Sequence, residues 1–400
     1  MNKAETIIVI PKPDADFYQF HSILNEDERK KLSEVREFME TSVAPVINKY
    51  WAEDSFPFDL VPGFRDLKIA GVGFQGYGCP GGSTLLNGFI SMEIARIDCS
   101  CSTFMGVHGG LAMGSIFLCG SEEQKQQWLP KMANLDIIGS FGLTEPGVGS
   151  GASGGLLTTA KREGNEWILN GQKKWIGNAT WGDITIIWAR DVEDNQVKGF
   201  IVENKKTQGF NAEKIQHKMA LRVVQNALIT MTDCRVSESN RLQMDSSFRD
   251  TARVLRMTRA SVAWEAVGCM MGAYENALIY SQKREQFGKP IAKFQLVQDL
   301  LVKMLGNITA SLSMVVRLSQ LQDEAKLKDE HASLAKAFCT VKMRETVGYA
   351  RELLGANGIL LDNQIGRFVA DAEAIYSYEG TREMNTLIVG KAITGFGAFV

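Results

Sequence analysis

The stretch Ile375-Tyr376-Ser377-Tyr378-Glu379-Gly380-Thr381 decides the interpretation of this 400-residue chain. It carries one carboxylate, on Glu379, between an aromatic and β-branched run and a glycine. Thr381 is a natural N-cap, because apolar residues at 384, 387 and 388 follow it with helical spacing. We therefore predict that Glu379 lies on a non-helical segment just before a helix, where a packed scaffold holds it near a ligand. In an apolar pocket it would have a raised pKa and suit a general base; the alternative is a capping or surface carboxylate.

Composition places the chain among globular proteins, with 45% hydrophobic and 22% charged residues. The net charge of −2 gives no reason to expect nucleic acid or an anionic membrane surface as a partner. We saw no apolar run of the roughly 18 residues that a membrane span needs. The first twenty residues lack the pattern of a signal or transit peptide, and the last residues carry no peroxisomal tripeptide. We therefore expect a cytoplasmic protein without a membrane span.

The seven cysteines are an odd number and mostly lie in apolar contexts, which fits a reducing compartment. The only close pair is Cys99 and Cys101, and no second pair stands at metal-binding spacing. The four histidines are dispersed along the sequence. We therefore expect no metal site.

The order of patterns is helices, then strands, then helices. Capping boxes at 25–28 and 121–124 begin helices in the first part. Asn170-Gly171, flanked by apolar runs, predicts a β-hairpin. Long helical patterns return from Phe248. We therefore predict an α+β chain with an arm at 1–20, an all-α domain at 21–137, a central antiparallel β domain at 138–245 and an all-α domain at 246–400.

One glycine motif matches the dinucleotide-binding fingerprint as a string of letters. It runs from Gly71 to Gly76 as GVGFQG. That fingerprint needs a strand before it and a helix after it. Here a helical pattern precedes it and Tyr77–Gly82 cannot open a helix, so we do not expect this segment to bind a nucleotide phosphate.

Five further segments stand out along the chain. They are Phe141–Ser150 (FGLTEPGVGS), Trp175–Asn178 (WIGN), Arg284–Gly288 (REQFG) with Gln295, Glu352–Gly358 (ELLGANG) and Tyr378–Thr381 (YEGT). They resemble the flavin-binding and catalytic motifs of the acyl-CoA dehydrogenase family, in the family's order and at its spacing. Within the family, Leu221–Asn226 and Ala392–Gly395 are most similar to the glutaryl-CoA dehydrogenase branch and the short-chain acyl-CoA oxidases of plants.

The resemblance implies the family fold: an N-terminal helical domain, a central antiparallel β domain and a C-terminal four-helix bundle domain. It also implies an acyl-CoA substrate, an electron-transfer flavoprotein partner, and FAD held at a subunit interface of a homotetramer or dimer. The implied FAD-binding residues are Phe141, Leu143, Thr144, Gly149, Ser150, Trp175, Ile176, Gly177, Arg284, Gln286, Phe287, Gln295, Glu352, Leu353, Gly355, Ala356, Thr381 and Glu383. The implied substrate-binding residues are Ser102, Thr103, Ser150, Arg259, Trp264 and Gly380.

The resemblance also implies the chemistry: Glu379 removes the α-proton of a thioester and the β-hydrogen leaves as hydride to flavin N5. The thioester oxygen would bond a ribityl hydroxyl and the Glu379 backbone N–H, which stabilises the developing enolate. One branch of the family places its base on an earlier helix, and the matching position here is Thr258. Glu265 is the nearest alternative carboxylate.

Three departures from the family pattern bear on function. Gly151 stands where the family usually has Asp after Gly-Ser, which affects the flavin loop. Gly177 replaces a hydroxyl residue near flavin N5, as in the plant oxidases, and this leaves the electron acceptor open. Ser102 matches the Arg that glutaryl-CoA dehydrogenases use for the distal carboxylate, so a dicarboxylyl substrate is disfavoured.

We therefore expect a short-chain acyl-CoA dehydrogenase, with Trp264 as a large ring that closes the floor of the acyl pocket or else faces a neighbouring helix. The alternatives are an acyl-CoA oxidase that uses oxygen, a glutaryl-CoA dehydrogenase, and a non-catalytic acyl-thioester-binding subunit. The presence of Glu379 speaks against the last of these.

Overall fold

The computed structural model describes residues 13–398 of the protein. Residues 1–12 of the predicted arm and residues 399–400 of the C-terminus lie outside the described residues. The helices are α1 Glu26–Phe38, α2 Ile47–Ala52, α3 Val61–Leu67, α4 Thr84–Ile97, α5 Cys99–Met105, α6 Met113–Cys119, α7 Glu122–Ala133, α8 Ala152–Gly155, α9 Phe248–Lys283, α10 Gln295–Asp323, α11 Asp329–Leu354, α12 Ile365–Ser377 and α13 Arg382–Thr394. The strands are β1 Gly139–Gly142, β2 Thr159–Glu163, β3 Glu166–Gly177, β4 Ile184–Asp191, β5 Val197–Glu203, β6 Phe210–Lys214, β7 Asn226–Ser237, β8 Glu285–Gln286 and β9 Lys289–Pro290.

The first part of the chain is helical, as the sequence predicts. Both predicted capping boxes are confirmed: Asn25 and Glu28 satisfy each other's backbone N–H groups at the start of α1, and Ser121 and Gln124 do so at α7. A π-helical stretch, Gly106–Ala112, joins α5 to α6. The glycine motif at 71–76 lies in turns between α3 and α4, and no strand leads into it.

Seven strands form one sheet in the order β1-β4-β2-β3-β7-β6, with β5 paired to β4. Four pairings are antiparallel, whereas β1 and β2 run parallel to β4. The predicted α+β class is confirmed, and the sheet is mixed rather than purely antiparallel. Its strands lie within 139–237 and so inside the predicted central domain; the exact domain boundaries stay predictions.

The predicted hairpin at Asn170-Gly171 is wrong. Both residues lie inside β3, which pairs with β7 along most of its length and shifts register between Leu169 and Gly171. The Asn170 side chain bonds Asp233 of β7 twice. Its Nδ2 donates to Asp233 Oδ1 at 3.1 Å, and its Oδ1 accepts from the Asp233 N–H at 2.8 Å. The two residues therefore make a β-bulge, which has the same preference for glycine as a turn.

The C-terminal part is a bundle in which α9, α10, α11 and α12 pack on one another and α13 adds a fifth helix against α11. Helix α12 was not predicted, and it takes Ile375–Ser377 into its last turn. Tyr378–Thr381 is then a short non-helical link to α13, whose N-cap is Thr381 as predicted, accepting from the Met384 N–H at 3.3 Å.

Two of the described helical stretches are long and apolar enough to cross a membrane by length and composition alone, Cys99–Cys119 and Gln295–Asp323. The first is mostly buried in the N-terminal domain. The second is α10, which packs on α9 and α11 within the bundle. The absence of a membrane span therefore stays a prediction.

Candidate active site

A cavity of about 820 Å³ lies where the three parts of the fold meet. Helices α4, α9, α10, α12 and α13, the stretch Gly106–Ala112, strands β1 and β3 and the β6–β7 loop all contribute to its wall. The predicted site residues that line it are Ser102, Thr103, Phe141, Leu143, Thr144, Gly149, Ser150, Trp175, Ile176, Gly177, Arg259, Trp264, Glu379, Gly380 and Thr381.

Nine predicted flavin-binding residues do not line this cavity. Arg284 is exposed where α9 ends, and Phe287 is 92% exposed on the tip of the β8–β9 hairpin. Leu353 is buried at the end of α11. The nine are Arg284, Gln286, Phe287, Gln295, Glu352, Leu353, Gly355, Ala356 and Glu383.

Glu379 presents both a carboxylate and a backbone donor at the cavity. Its φ of 49° is in the left-handed region, which is uncommon for a residue with a side chain. Its Oε2 atom is buried, and neither that atom nor the Glu379 N–H makes a hydrogen bond to another described group. Backbone strain with unpaired polar atoms is typical of a functional position.

Side chains from two helices hold the link that carries Glu379. From α11, the fully buried Lys336 donates through Nζ to the carbonyl oxygens of Tyr376 at 3.1 Å and Gly380 at 2.5 Å. From α13, Asn385 donates through Nδ2 to the carbonyl oxygens of Gly380 at 2.9 Å and Thr381 at 3.0 Å. These bonds fix the backbone on both sides of the strained residue.

Burial raises the pKa of the Glu379 carboxyl, because desolvation penalises the charged form. A hydrogen bond from Thr258 and the positive charges of Arg259 and Lys336 oppose this rise. Burial likewise lowers the pKa of Lys336 to about 8, with Glu379 opposing the shift. The base position is therefore desolvated yet surrounded by groups that stabilise its anion, as a general base near neutral pH requires.

A second carboxylate, Glu265 of α9, also lines the cavity. Its Oε1 accepts from the Thr103 hydroxyl at 2.9 Å and its Oε2 accepts from the Tyr378 hydroxyl. Burial raises the pKa of Glu265 to about 8, against the two hydroxyl bonds. Both of its oxygens are already bonded, whereas Glu379 has a free one, so the geometry favours Glu379 as the base.

The predicted flavin wall comes from a second bulge in β3. The register against β7 shifts between Lys174 and Ile176, and Trp175 takes a φ of 69°. Trp175 is 53% exposed and lines the cavity. A large aromatic surface left open in this way is available to stack on a planar ligand.

The glycine-rich loop after β1 is anchored from below by a buried ion pair. Lys173 donates through Nζ to Glu145 Oε1 at 2.8 Å and to the Leu143 carbonyl at 3.0 Å. Glu145 in turn accepts the backbone N–H groups of Leu157 and Thr158. A Cβ on any of Gly147, Gly149 and Gly151 would meet nothing within 4 Å, so the loop leaves an open cradle beside Trp175.

Lys336, Asn385 and Lys173 were missed by the sequence analysis. Lys336 carries a signal that a search could use, because it lies on the buried stripe of α11 with Ala332, Ala335 and Cys339. A lysine on an apolar helix face requires a buried partner. The local sequence does not show that these partners are the carbonyls of Tyr376 and Gly380, at and after the end of α12.

Family models match nearly the whole chain. The N-terminal domain model of acyl-CoA dehydrogenase matches residues 25–136, the middle domain model 140–234 and the C-terminal domain model 248–394. The chain belongs to the acyl-CoA dehydrogenase family. Members of this family are FAD-dependent oxidoreductases.

Relatives and solved structures agree with this assignment. The mitochondrial short-chain specific acyl-CoA dehydrogenase of Homo sapiens is 31% identical over 93% of this chain and 92% of its own length. A glutaryl-CoA dehydrogenase from Mycobacterium smegmatis, solved in complex with FADH2, is 34% identical with a TM-score of 0.92, covering 96% of this chain and 98% of that chain. A chain in the structure of the electron transferring flavoprotein of Acidaminococcus fermentans is 30% identical with a TM-score of 0.89, covering 93% and 98%.

The residues present fit the FAD that this family uses. Trp175 supplies an open aromatic face, and Gly147, Gly149 and Gly151 leave room for a close approach to backbone. Leu143, Thr144 and Ser150 line the same part of the cavity and would hold the cofactor with backbone and hydroxyl groups. Gly151 stands where the family usually has Asp, and the space around it is open. The cradle therefore stays accessible at this position.

Proposed function

We propose that the protein oxidises a short-chain acyl-CoA to the 2-enoyl-CoA, with Glu379 as base, and passes its electrons to an electron-transfer flavoprotein. The observation that carries this proposal is the unpaired carboxylate oxygen and unpaired backbone N–H of Glu379 at one cavity wall. Bound FAD supplies the acceptor for the hydride that leaves the β-carbon. We also propose a cytoplasmic homotetramer or dimer that works in fatty acid oxidation.

The residues of the chain divide the work at the thioester. Glu379 Oε2 takes the α-proton, and the Glu379 N–H donates to the thioester oxygen as negative charge develops there. Arg259 lines the same region and has no hydrogen bond or ion pair with another described residue, so its guanidinium is available to the substrate. Substrate that fills the cavity expels water and strengthens each of these interactions.

Short acyl chains are favoured by two observations. Trp264 is almost fully buried and lines the cavity, and its Nε1 donates to Ser319 Oγ at 2.9 Å, which fixes the ring. A Cβ on Gly88 would lie 2.3 Å from that ring, so the wall cannot move easily toward α4. The human short-chain enzyme among the relatives agrees with this assignment. The role of Trp264 as the pocket floor remains a prediction.

A glutaryl substrate is disfavoured by the groups around Ser102. The Ser102 hydroxyl donates a hydrogen bond to the Ser91 carbonyl oxygen at 3.2 Å. The ionisable side chain beside it in the cavity is Glu265, bonded to Thr103. A distal carboxylate would therefore meet an acid instead of a cation.

An oxidase is the second candidate, because of Gly177. A Cβ at this position would lie 3.2 Å from Val107 Cγ2, so a hydroxyl residue could not be placed there without moving Val107. The protein thus lacks, in this part of the flavin site, the hydroxyl side chain of the family's dehydrogenases, and this departure favours oxygen as the second candidate acceptor. If oxygen is the acceptor, Gly177→Thr should slow reoxidation of the reduced enzyme in air.

Anaerobic titration of the purified protein with a panel of acyl-CoAs tests the proposal. We expect loss of oxidised-flavin absorbance with butyryl-CoA and hexanoyl-CoA and little change with glutaryl-CoA or long chains. Admission of air, followed by stopped flow, then decides the acceptor. Reoxidation at the turnover rate would make the protein an oxidase, and no bleaching with any acyl-CoA would overturn the proposed function.

A further inference from the structure

Four polar side chains line the part of the cavity around Trp264. Asn87 and Ser91 of α4, Ser261 of α9 and Gln322 of α10 all line it and are half-buried. None of their side chains makes a hydrogen bond to another group in residues 13–398. A hydrocarbon chain beside them would remove these groups from water without giving them partners, which costs free energy.

Glu265 is the carboxyl group of this region. It is 6% exposed, and within the described part of the chain it bonds only the hydroxyls of Thr103 and Tyr378. The other ionisable groups that act on it, Glu379 and Asp371, are themselves acids. A carboxylate has about four acceptor positions, so two hydroxyl donors leave it room for further donors.

The position of Glu265 suits the far part of a short acyl chain. Thr258, whose hydroxyl opposes the rise in the pKa of Glu379, lies seven residues earlier on α9. Seven residues are two helical turns, a displacement of roughly 10 Å along the helix axis. Because Glu265 lines the same cavity at this offset along α9, a substituent on the distal part of the acyl chain can contact it.

We propose that the protein prefers acyl thioesters whose chain carries a hydroxyl or amino group near its far end, and that Glu265 is the residue that selects this group. The preference rests on the proposed function, since the same cavity must hold the thioester at Glu379. A methyl end would give no donor to the remaining acceptor positions of Glu265 and no partner to its polar neighbours. A carboxylate end would face an acid. A hydroxyl or ammonium end donates to Glu265 and satisfies it.

The test compares ends of similar size in one assay, the anaerobic reduction of the flavin. The four substrates are 6-hydroxyhexanoyl-CoA, 6-aminohexanoyl-CoA, heptanoyl-CoA and adipoyl-CoA. We expect the hydroxyl or amino end to exceed the methyl end by about tenfold or more in kcat/KM, since a site built to bond a polar group discriminates strongly against analogues that lack it. In Glu265→Leu this ratio should fall to within about threefold.

The ratio of kcat/KM between polar-ended and methyl-ended substrates distinguishes two roles of Glu265. One role is selection of the substrate's far end, and the other is support of the link Tyr378–Thr381. Loss of the Tyr378 partner in Glu265→Leu would lower the rate with every substrate equally and leave the ratio unchanged. Glu265→Gln keeps the volume of the side chain and should give an intermediate ratio, and the exposed Glu324→Gln should match the unmodified protein. Preference of the unmodified protein for heptanoyl-CoA, or an unchanged ratio in Glu265→Leu, overturns the inference alone. Failure of all acyl-CoAs to reduce the flavin overturns the proposed function with it.

Discussion

At the scale of the residue, the pKa of Glu379 is subject to opposing effects. Burial raises the pKa of its carboxyl, and Thr258, Arg259 and Lys336 hold it down. Lys336 has a double role, since it also bonds the carbonyls of Tyr376 and Gly380. Position and acidity of the base are therefore controlled by the same buried cation.

We predict that Lys336→Met moves the acid limb of the pH–rate profile for flavin reduction to higher pH. The reason is the sign of the interaction: Lys336 favours the Glu379 anion, so its removal raises the Glu379 pKa further, and the base is protonated at a higher pH. Single-turnover reduction measured across the pH range checks this. Lys342→Met, on the same helix and paired with Glu345, is the control and should leave the limb in place. A limb that does not move in Lys336→Met would show that the lysine acts only by holding the link.

The sequence identified Glu379 and its N-capped neighbour because the motif is local. The motif does not show which residues control the pKa of Glu379. Lys336 and Thr258 lie 43 and 121 positions earlier in the chain, and only the packing of α9 and α11 brings them to the carboxylate. Local spacing predicts the groups within one element, whereas a pKa depends on groups from several.

At the scale of the element, β3 carries two bulges that were not predicted from the sequence. Asn-Gly reads as a hairpin turn because both structures use glycine at special backbone angles. The strand continues here because β7 is long enough to pair on both sides of Gly171. Helix α12 was not predicted because the stretch from Ile375 to Thr381, which begins in its last turn, was interpreted as one irregular segment.

We predict that Gly171→Ala destabilises the protein by about 1–3 kcal/mol. Gly171 has a φ of 142°, and an added Cβ would lie 2.7 Å from the Thr158 Cα, a backbone atom that cannot move aside alone. Gly164→Ala is the matched control, because Gly164 also has positive φ but open space around it. Urea unfolding of both FAD-saturated variants measures the difference. Equal stability of the two would show that crowding at Thr158 does not constrain the bulge.

At the scale of the whole molecule, the flavin motifs fall into two groups. One group lines the cavity. The residues of the other group do not line it and, apart from Glu383 of α13, lie around the end of α9, the β8–β9 hairpin, the start of α10 and the end of α11. A second copy of the chain would bring the outlying group to its neighbour's cofactor, which is what the resemblance implies. The exposed Phe287 is placed for such a contact.

We therefore predict that Arg284→Ala purifies with less FAD and as a smaller assembly. The guanidinium is exposed and suits a bidentate bond to a neighbour's pyrophosphate. The flavin-to-protein absorbance ratio and sedimentation velocity measure the two effects. Arg317→Ala, an exposed arginine of α10, should change neither. A monomeric protein with full flavin occupancy would contradict the shared site.

The most direct measurement is anaerobic stopped-flow reduction of the flavin by butyryl-CoA in Glu379→Gln. The substitution preserves shape and removes the proton acceptor, so we predict a fall of about 10²–10⁴-fold in the reduction rate. Substrate binding, followed by perturbation of the flavin spectrum, should persist. Reduction at the rate of the unmodified protein would contradict the assignment of Glu379 as the base and transfer that role to another group such as Glu265.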